Sequence, residues 1–338
     1  MKKPSRNHTL FAVAGVLILG FASNVQAASF QYFRVGNKDD FQVRPRGGTA
    51  MMGGGDDLDE AFRWLCQKGN GGDFLVLRAS GDDEYNDYVN KLCKLNSVAT
   101  LILPDRVAAE DPAVAEIMRK AEVIFISGGD QGHYLRAWKG TPVEREINAH
   151  VAAGKPLGGT SAGLAVQGEF VYGALGDKPD DNDLASTDVL PNPYFDRVTL
   201  VRGFLKIPGL ENLLTDSHFA KRDRMGRTLG FLARIQQDGW SKAPHEVAID
   251  EKSAVLLEPD GKGTVVGNGM GAYFLRPTRK PDICKKDQPL TFRKISVYRA
   301  PAGAHFDLVR WQGIGGTAYS LSVEKGKIQS SQPDHSIY

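Results

Sequence analysis

The residues most informative about chemistry are Gly159, Ser161 and Gly163, a G-x-S-x-G pattern directly after a short apolar run. This is the layout of a nucleophile elbow, in which a serine lies on a sharp turn between a strand and a helix. Side chains on either side of the serine would collide with the neighbouring strand and helix, so glycine is needed there. The N–H of Ala162, at the start of the helix, would be free to stabilise an oxyanion. An ordinary glycine-rich turn, as found at phosphate sites, fits the same five residues.

A serine hydroxyl is a weak nucleophile near neutral pH, so Ser161 needs a base that accepts its proton. His218 stands out among the histidines because of the charged residues near it. These are Asp216, Arg222, Arg224 and Arg227. Guanidinium groups beside a nucleophile would suit a substrate with a carboxylate, which accepts paired N–H donors. If the segment is a helix, however, the arginines would point in different directions.

A third group must orient the histidine. Asp250 and Glu251 follow the apolar residues Ala248 and Ile249, as where a strand leaves a core. Either carboxylate could accept the imidazole N–H, and both could equally be surface charges before a turn. The residues alone leave these alternatives open.

The chain from residue 48 onward alternates apolar runs with amphipathic segments, which predicts a parallel sheet covered by helices on both faces. The predicted strands are residues 49–52, 74–78, 98–103, 123–127 and 156–159. The predicted helices are residues 57–67, 83–95, 111–120 and 142–153. Ligands bind such sheets at the carboxyl ends of the strands. Glycine-containing segments follow three of the strands, at residues 53–55, 127–131 and 159–163, and we expect them to form one site.

Residues 176–193 are rich in Asp, Asn, Pro and Gly and predict a solvated loop. Short alternating runs over residues 247–275 and 290–323 predict further strands. The predicted organisation is a signal peptide over residues 1–27, an α/β catalytic domain over residues 28–283, and a strand-rich extension with its tail over residues 284–338. The residues after Lys325 are polar and are expected to be mobile.

The N-terminus has the features of a secretory signal peptide. Three basic residues precede an apolar run over residues 10–22, and small residues before position 28 predict cleavage after Ala27. The run is shorter than the roughly 20 residues of a spanning helix. We therefore expect a periplasmic or secreted protein. Loss of the three cations takes the formal charge from +2 to −1, which argues against binding to nucleic acid or to an anionic membrane.

The chain has three cysteines. Cys66 and Cys93 each lie at the end of the apolar face of a predicted helix, so a disulfide between them is one expectation, with Cys284 left over. Buried free thiols fit the same pattern. No C-x-x-C and no His/Cys cluster with metal-ligand spacing occurs, so we predict no metal and no cofactor.

Four ordered motifs resemble those of cyanophycinases and the related aspartyl dipeptidases, peptidase family S51. They are residues 128–131, residues 158–163, residues 216–219 followed by Arg222, Arg224, Gly226 and Arg227, and residues 249–251. The resemblance implies a fold like that of class I glutamine amidotransferases: a mostly parallel, flavodoxin-like sheet flanked by helices on both faces.

The resemblance also implies roles for individual residues. It makes Ser161 the nucleophile, His218 the general base and acid, and Glu251 the orienting carboxylate. It places the oxyanion hole at the N–H groups of Ala162 and Gly129. The positions that it gives to substrate binding are Gln131, Asp216, Arg222, Arg224 and Arg227. The implied activity is that of a serine-type exopeptidase, which cleaves after β-linked aspartyl residues through an acyl-enzyme and releases β-Asp-Arg dipeptides from a peptide or cyanophycin-like polymer.

Ser217 departs from the family, because cyanophycinases have a glutamine just before the histidine. This difference leaves the substrate open. An aspartyl or isoaspartyl dipeptidase acting on short acidic peptides would use the same chemistry. A binding protein without catalytic activity would be a different use of the same fold, and a homodimer is left open.

Overall fold

Five parallel strands form the centre of the protein in a computed structural model that describes residues 29–176 and 183–338. They are β2 (Thr49–Met52), β3 (Asp73–Arg78), β4 (Ser97–Ile102), β5 (Val123–Ile126) and β6 (Leu157–Thr160), adjacent in the order β4-β3-β5-β6-β2. All five match predicted strands to within one residue at each end. Every residue of β2, β4, β5 and β6 is buried, which explains why apolar runs identified them.

Helices cover both faces of this parallel centre. Phe74 and Val76 of β3 share an apolar cluster with α1 (Asp59–Gly69) and α2 (Glu84–Leu92). Leu75 and Leu77 point to the opposite face, because side chains alternate along a strand. The helices on that face are α3 (Arg106–Glu110), α4 (Pro112–Lys120), α5 (Gln131–Trp138) and α6 (Pro142–Ala152). The pattern predicted α1, α2, α4 and α6 but not α3 or α5.

The first sheet is mixed, so the prediction of a mostly parallel sheet is wrong. Antiparallel strands extend both edges of the parallel centre. They are β1 (Gln31–Gly36), beside β4, and β11 (Ser253–Leu257), β12 (Lys262–Gly267), β15 (His305–Asp307) and β16 (Gln312–Ile314), beyond β2. The pairs β1–β4, β11–β2 and β12–β15 join strands that lie far apart along the chain, and a local apolar pattern carries no information about such pairing.

A second, eight-stranded sheet has the order β18-β17-β14-β13-β10-β9-β7-β8. Its strands are β7 (Phe170–Tyr172), β8 (Leu200–Arg202), β9 (Leu213–Asp216), β10 (His245–Ile249), β13 (Ala272–Pro277), β14 (Phe292–Ala300), β17 (Thr317–Glu324) and β18 (Lys327–Ser330). Parallel pairing joins β7, β9 and β10, and the other pairs are antiparallel. Helix α9 (Met225–Gln237) packs on one face through Leu229 and Leu232, whereas Val247 and Ile249 point into the core shared with the first sheet.

The strand-rich C-terminal segment continues both sheets rather than standing apart from them, because β15 and β16 join the first sheet and β14, β17 and β18 join the second. The tail after Lys325 contains β18 and makes packing contacts, and its expected mobility stays a prediction. The Tyr338 hydroxyl accepts the N–H of Met225 at 2.9 Å, and its ring lies 5.8 Å from that of Phe219. The tail therefore packs against the segment that follows His218.

Cys66 and Cys93 form a disulfide with a Cα–Cα distance of 6.2 Å, which confirms the first of the two expectations for these residues. It links α1 to the end of α2. Cys284 is a buried free thiol.

The predicted signal peptide, residues 1–27, lies outside the described residues, as do residues 177–182 of the predicted loop. The later part of that loop contains a short helix, α8 (Ser186–Val189), which the composition did not predict. Within residues 29–176 and 183–338, the structure has no helix of the length and apolar character that crossing a bilayer requires.

Candidate active site

Ser161 lies on a tight turn between β6 and the short helix α7 (Ala162–Ala165). Its backbone has φ 54° and ψ −114°, a conformation that is costly for a residue with a side chain. A Cβ on Gly163 would lie 2.0 Å from the carbonyl oxygen of Ile126, and one on Gly159 would lie 2.5 Å from that of Gly163. Both glycines are therefore required by close backbone packing. This strand-turn-helix context is that of a nucleophile elbow rather than of an ordinary turn.

Three side chains form a continuous hydrogen-bonded line at this turn. The Ser161 Oγ lies 2.7 Å from Nε2 of His218, and Nδ1 of His218 lies 2.7 Å from Oε1 of Glu251. Asp250 faces elsewhere, because its Oδ1 accepts the backbone N–H of Lys221 at 2.9 Å. Glu251 is therefore the carboxylate that contacts the imidazole. Asp250 instead anchors the backbone at Lys221, three residues after His218.

The loop after β2 positions the imidazole from the other side. His218 donates its backbone N–H to the carbonyl oxygen of Gly53 at 2.8 Å and has a left-handed φ of 46°. Gly54 faces the ring so closely that a Cβ there would lie 2.5 Å from the imidazole Cε1. The glycines after β2 thus belong to the same site as the elbow, as their position at a strand end predicted.

The surroundings of His218 favour its neutral form. Burial lowers the pKa of the imidazole, and the positive charges of Arg222 and Arg224 lower it further. The hydrogen bond to Glu251 acts in the opposite direction but does not cancel these effects. A neutral imidazole at neutral pH can accept the proton of Ser161, which is what a general base must do.

The turn after β5 lies opposite the nucleophile. A Cβ on Gly128 would come within 3.5 Å of the Ser161 Cβ. The buried Tyr134 hydroxyl lies 2.8 Å from the carbonyl oxygen of Gly128 and 3.0 Å from that of Ser127. Since the C=O and N–H of a trans peptide point in opposite directions, this contact turns the N–H of Gly129 away from Tyr134. The pattern of residues did not identify Tyr134, because a tyrosine inside an amphipathic helix is typical of a core residue.

Two backbone donors are available beside Ser161. In the part of the chain that the structure describes, the N–H groups of Ala162 and Gly129 have no hydrogen-bond acceptor. Such groups near a nucleophile can stabilise an oxyanion. Gln131 is the first residue of α5 and is half-buried, two positions after Gly129. Its contact with a substrate stays a prediction.

The arginines near His218 converge on one carboxylate, that of Asp183. The Asp183 oxygens lie 3.0 Å from Nη1 of Arg222, 2.5 Å from Nη2 of Arg224 and 3.6 Å from Nη1 of Arg227. A helix would have separated these side chains, but α9 begins only at Met225 and residues 218–224 form turns. The structure thus brings the three predicted arginines together with a fourth residue, Asp183, that sequence reasoning missed.

Asp216 and Arg227 form a pair behind this cluster. The Arg227 Nε donates to Oδ2 of Asp216 at 2.8 Å, Nη2 donates to Oδ1, and Nη1 donates to the carbonyl oxygen of Leu184 at 3.1 Å. The Arg227 side chain is 1% exposed and that of Asp216 is 4% exposed. These two residues are enclosed and support Arg224 from behind, since Asp216 also lies 3.4 Å from Nη1 of Arg224. Their contact with a substrate stays a prediction.

Residues 47–190 match the model of peptidase family S51. Curated relatives of similar sequence are cyanophycinases. That of Synechococcus elongatus is 28% identical over 237 residues, which cover 66% of this chain and 66% of the relative. That of Geminocystis herdmanii is 26% identical over 238 residues, which cover 66% of this chain and 79% of the relative. Over this region the chain is similar to peptidase family S51.

The matched region contains Ser161 but ends before His218 and Glu251. The chain spans just under two thirds of the length of the Synechococcus relative. Among solved structures, a peptidase from an acI-B1 Actinobacterium is 17% identical, with 85% of this chain and 98% of that chain covered and a TM-score of 0.47.

The described residues contain no group of three or more His, Cys, Asp or Glu side chains arranged to hold a metal ion.

Proposed function

We propose that this protein is a serine-type peptidase, a hydrolase, and that it is an exported exopeptidase of cyanophycinase type, which cleaves peptide bonds after β-linked aspartyl residues and releases β-Asp-Arg dipeptides. The observation that carries the proposal is the hydrogen-bonded line from Ser161 through His218 to Glu251, with an arginine cluster beside it. The line supplies acyl-transfer chemistry, and the cluster supplies charge complementary to an aspartyl carboxylate.

The proposed reaction begins with attack of the Ser161 Oγ on the carbonyl carbon of the scissile bond, while the hydroxyl proton passes to Nε2 of His218. The negative charge that forms on the carbonyl oxygen is stabilised by the N–H groups of Ala162 and Gly129. The C–N bond then breaks as His218 gives its proton to the leaving amine. Water then attacks the acyl carbonyl carbon while His218 takes its proton. The ester bond to the Ser161 Oγ breaks, the acid is released, and His218 returns the proton to that oxygen. Glu251 keeps its hydrogen bond to Nδ1 and stabilises the imidazolium.

Arg222 is the arginine of the cluster best placed to meet a substrate, since its side chain is 42% exposed and its Nε lies 3.9 Å from Oε1 of Glu251. A substrate carboxylate bound there would lie next to the triad. We therefore propose that Arg222 and Arg224 bind the free carboxylate of the aspartyl residue, with Arg227 and Asp216 holding Arg224 in place.

A second candidate is an aspartyl or isoaspartyl dipeptidase for short acidic peptides, and Ser217 favours it. Its side chain is buried, and its carbonyl oxygen accepts a hydrogen bond from Arg224 at 2.7 Å. A short buried side chain cannot reach along an extended polymer as the glutamine of cyanophycinases could. A binding protein without catalysis is disfavoured, because it has no use for a serine held in a costly backbone conformation.

Export is part of the proposal, with cleavage of the signal peptide after Ala27. The Cys66–Cys93 disulfide supports it, because disulfides persist in oxidising compartments and are rare in the cytosol. N-terminal sequencing of the protein recovered from the periplasm and the medium tests this point. A mature chain that begins at Met1 and stays in the cytosol would overturn it.

The decisive experiment incubates the protein from residue 28 onward with cyanophycin and with a panel of α- and β-linked aspartyl dipeptides. Ser161→Ala is the inactive variant, and Ser80→Ala, at an exposed serine, is the matched control. Release of β-Asp-Arg from cyanophycin by wild type and Ser80→Ala supports the first proposal. Hydrolysis of dipeptides alone supports the second. Hydrolysis of neither, or full activity of Ser161→Ala, would overturn both.

A further inference from the structure

The arginine cluster already contains a carboxylate at the position that faces solvent. Asp183 contacts Arg222, Arg224 and Arg227, and its side chain is 49% exposed. Burial would raise the pKa of Asp183, but the guanidinium groups, with Arg224 first, lower it on balance. The carboxylate is therefore ionised at neutral pH and neutralises positive charge that a substrate would otherwise meet.

The charges of the cluster balance without a substrate. Three guanidinium groups lie within 4 Å of three carboxylates, which belong to Asp183, Asp216 and Glu251. A further carboxylate would add an uncompensated negative charge next to partly buried groups, which is unfavourable. An acidic ligand therefore binds with the most favourable free energy when it replaces one of the three carboxylates instead of joining them.

Asp183 is the carboxylate that can be replaced. Asp216 is enclosed and accepts two donors from Arg227, and Glu251 accepts from the imidazole of His218. The Asp183 side chain lies at the exposed front of the cluster, and its departure would free Nη1 of Arg222 and Nη2 of Arg224.

We propose that Asp183 occupies the carboxylate subsite of the free enzyme, so that an acidic substrate binds by displacing it. The proposal rests on the proposed function in that it takes these arginines to receive a substrate carboxylate. Asp183 is then a specificity-determining residue. It weakens the binding of every carboxylate, because the apparent Kd is the intrinsic Kd divided by the fraction of enzyme in which the subsite is free. It also keeps the cluster neutral when no substrate is present.

Binding of succinate, a four-carbon dicarboxylate, to the Ser161→Ala protein tests this inference without any need for turnover. Titration calorimetry compares that protein with the same protein carrying Asp183→Asn or, as a control of equal charge at an exposed position, Asp196→Asn. We expect Asp183→Asn to tighten succinate binding about tenfold, because the subsite is no longer filled, and Asp196→Asn to leave it unchanged. Unchanged, weaker or undetectable binding by Asp183→Asn would overturn the proposal.

Hydrolysis of cyanophycin and of the aspartyl dipeptides is measured separately from succinate binding. A wrong substrate assignment and a wrong role for Asp183 therefore give different results. If Asp183→Asn does not fold, a crystal structure of the Ser161→Ala protein with succinate decides. We expect a succinate carboxylate on Arg222 and Arg224, with Asp183 turned away from them. Asp183 still paired with Arg224 beside bound succinate, or no bound succinate at all, would refute displacement.

Discussion

Gly54→Ala tests whether the position of the His218 imidazole sets the rate. The added methyl would lie 2.5 Å from Cε1 and 2.6 Å from Nε2 of the ring. Carbon atoms pack at about 3.5 Å or more, so the imidazole must move by roughly 1 Å. Nε2 is the atom that lies 2.7 Å from the Ser161 Oγ, so this movement misaligns the proton transfer. A misplacement of this size lowers a catalytic rate by about a hundredfold.

The substitution also strains the backbone, because Gly54 has a φ of +93°. An alanine there costs on the order of 1–2 kcal/mol of stability. Gly154→Ala is the matched control. Gly154 has a φ of +71°, and no heavy atom lies within 4 Å of the position that its Cβ would take. It therefore introduces similar strain without a collision, and we expect it to lower the melting temperature and keep the rate.

The assay is the rate at which a fluorophosphonate labels Ser161, measured with kcat on the best peptide and with thermal unfolding. Labelling depends on the serine and its base, so it reports on the imidazole whatever the natural substrate is. We expect slow labelling for Gly54→Ala and wild-type labelling for Gly154→Ala. If both variants melt at similar temperatures and label at equal rates, the position of His218 does not limit the chemistry and the reasoning fails.

Three further substitutions probe other parts of the site. Glu251→Gln removes the charge that stabilises the imidazolium, so kcat in single-turnover experiments should fall on the order of 10⁴-fold while the fold is kept; a wild-type rate would contradict the role of Glu251. Burial is the largest cause of the lowered pKa of His218, and the positive charge of Arg222 lowers it further. Arg222→Gln removes that charge. That pKa should rise, the acidic limb of the kcat/KM profile should move to higher pH, and a shift to lower pH would refute this reading. Tyr134→Phe loses the hydrogen bond to the Gly128 carbonyl and should lower kcat about tenfold at nearly constant KM; an unchanged kcat would mean that other contacts hold the turn.

The parallel centre could be predicted from sequence because its strands are buried on both faces. A strand of this kind is a continuous apolar run, and the runs at residues 49–52 and 123–127 needed no knowledge of the rest of the chain. The antiparallel pairs between distant segments required such knowledge. For example, β12 pairs with β15, about 40 residues later, and neither segment has a sequence feature that identifies the other as its partner.

The elbow could also be predicted, because its glycines are required by close contacts with residues of the same turn and of one neighbouring strand. The partner of His218 could not be chosen from residue types. Asp250 and Glu251 both leave the end of β10, and the path of the backbone after the strand decides which one reaches the imidazole. The resemblance to S51 peptidases named Glu251, and the contact with His218 in the structure agrees with it.

The family resemblance alone does not distinguish the roles of the three arginines, and the structure is needed to separate them. The resemblance gives Arg222, Arg224 and Arg227 one role, but their burial separates them: Arg222 is half-exposed at the front, whereas Arg227 is enclosed with Asp216. Removing the Arg227 side chain would leave the Asp216 carboxylate with fewer buried partners, and breaking a buried pair in this way costs about 3–5 kcal/mol. A loss of activity in Arg227→Ala would then be accompanied by a loss of stability and would say little about substrate binding. Loss of selectivity for acidic over amidated substrates in Arg222→Gln, at an unchanged melting temperature, is the result that would identify a binding contact.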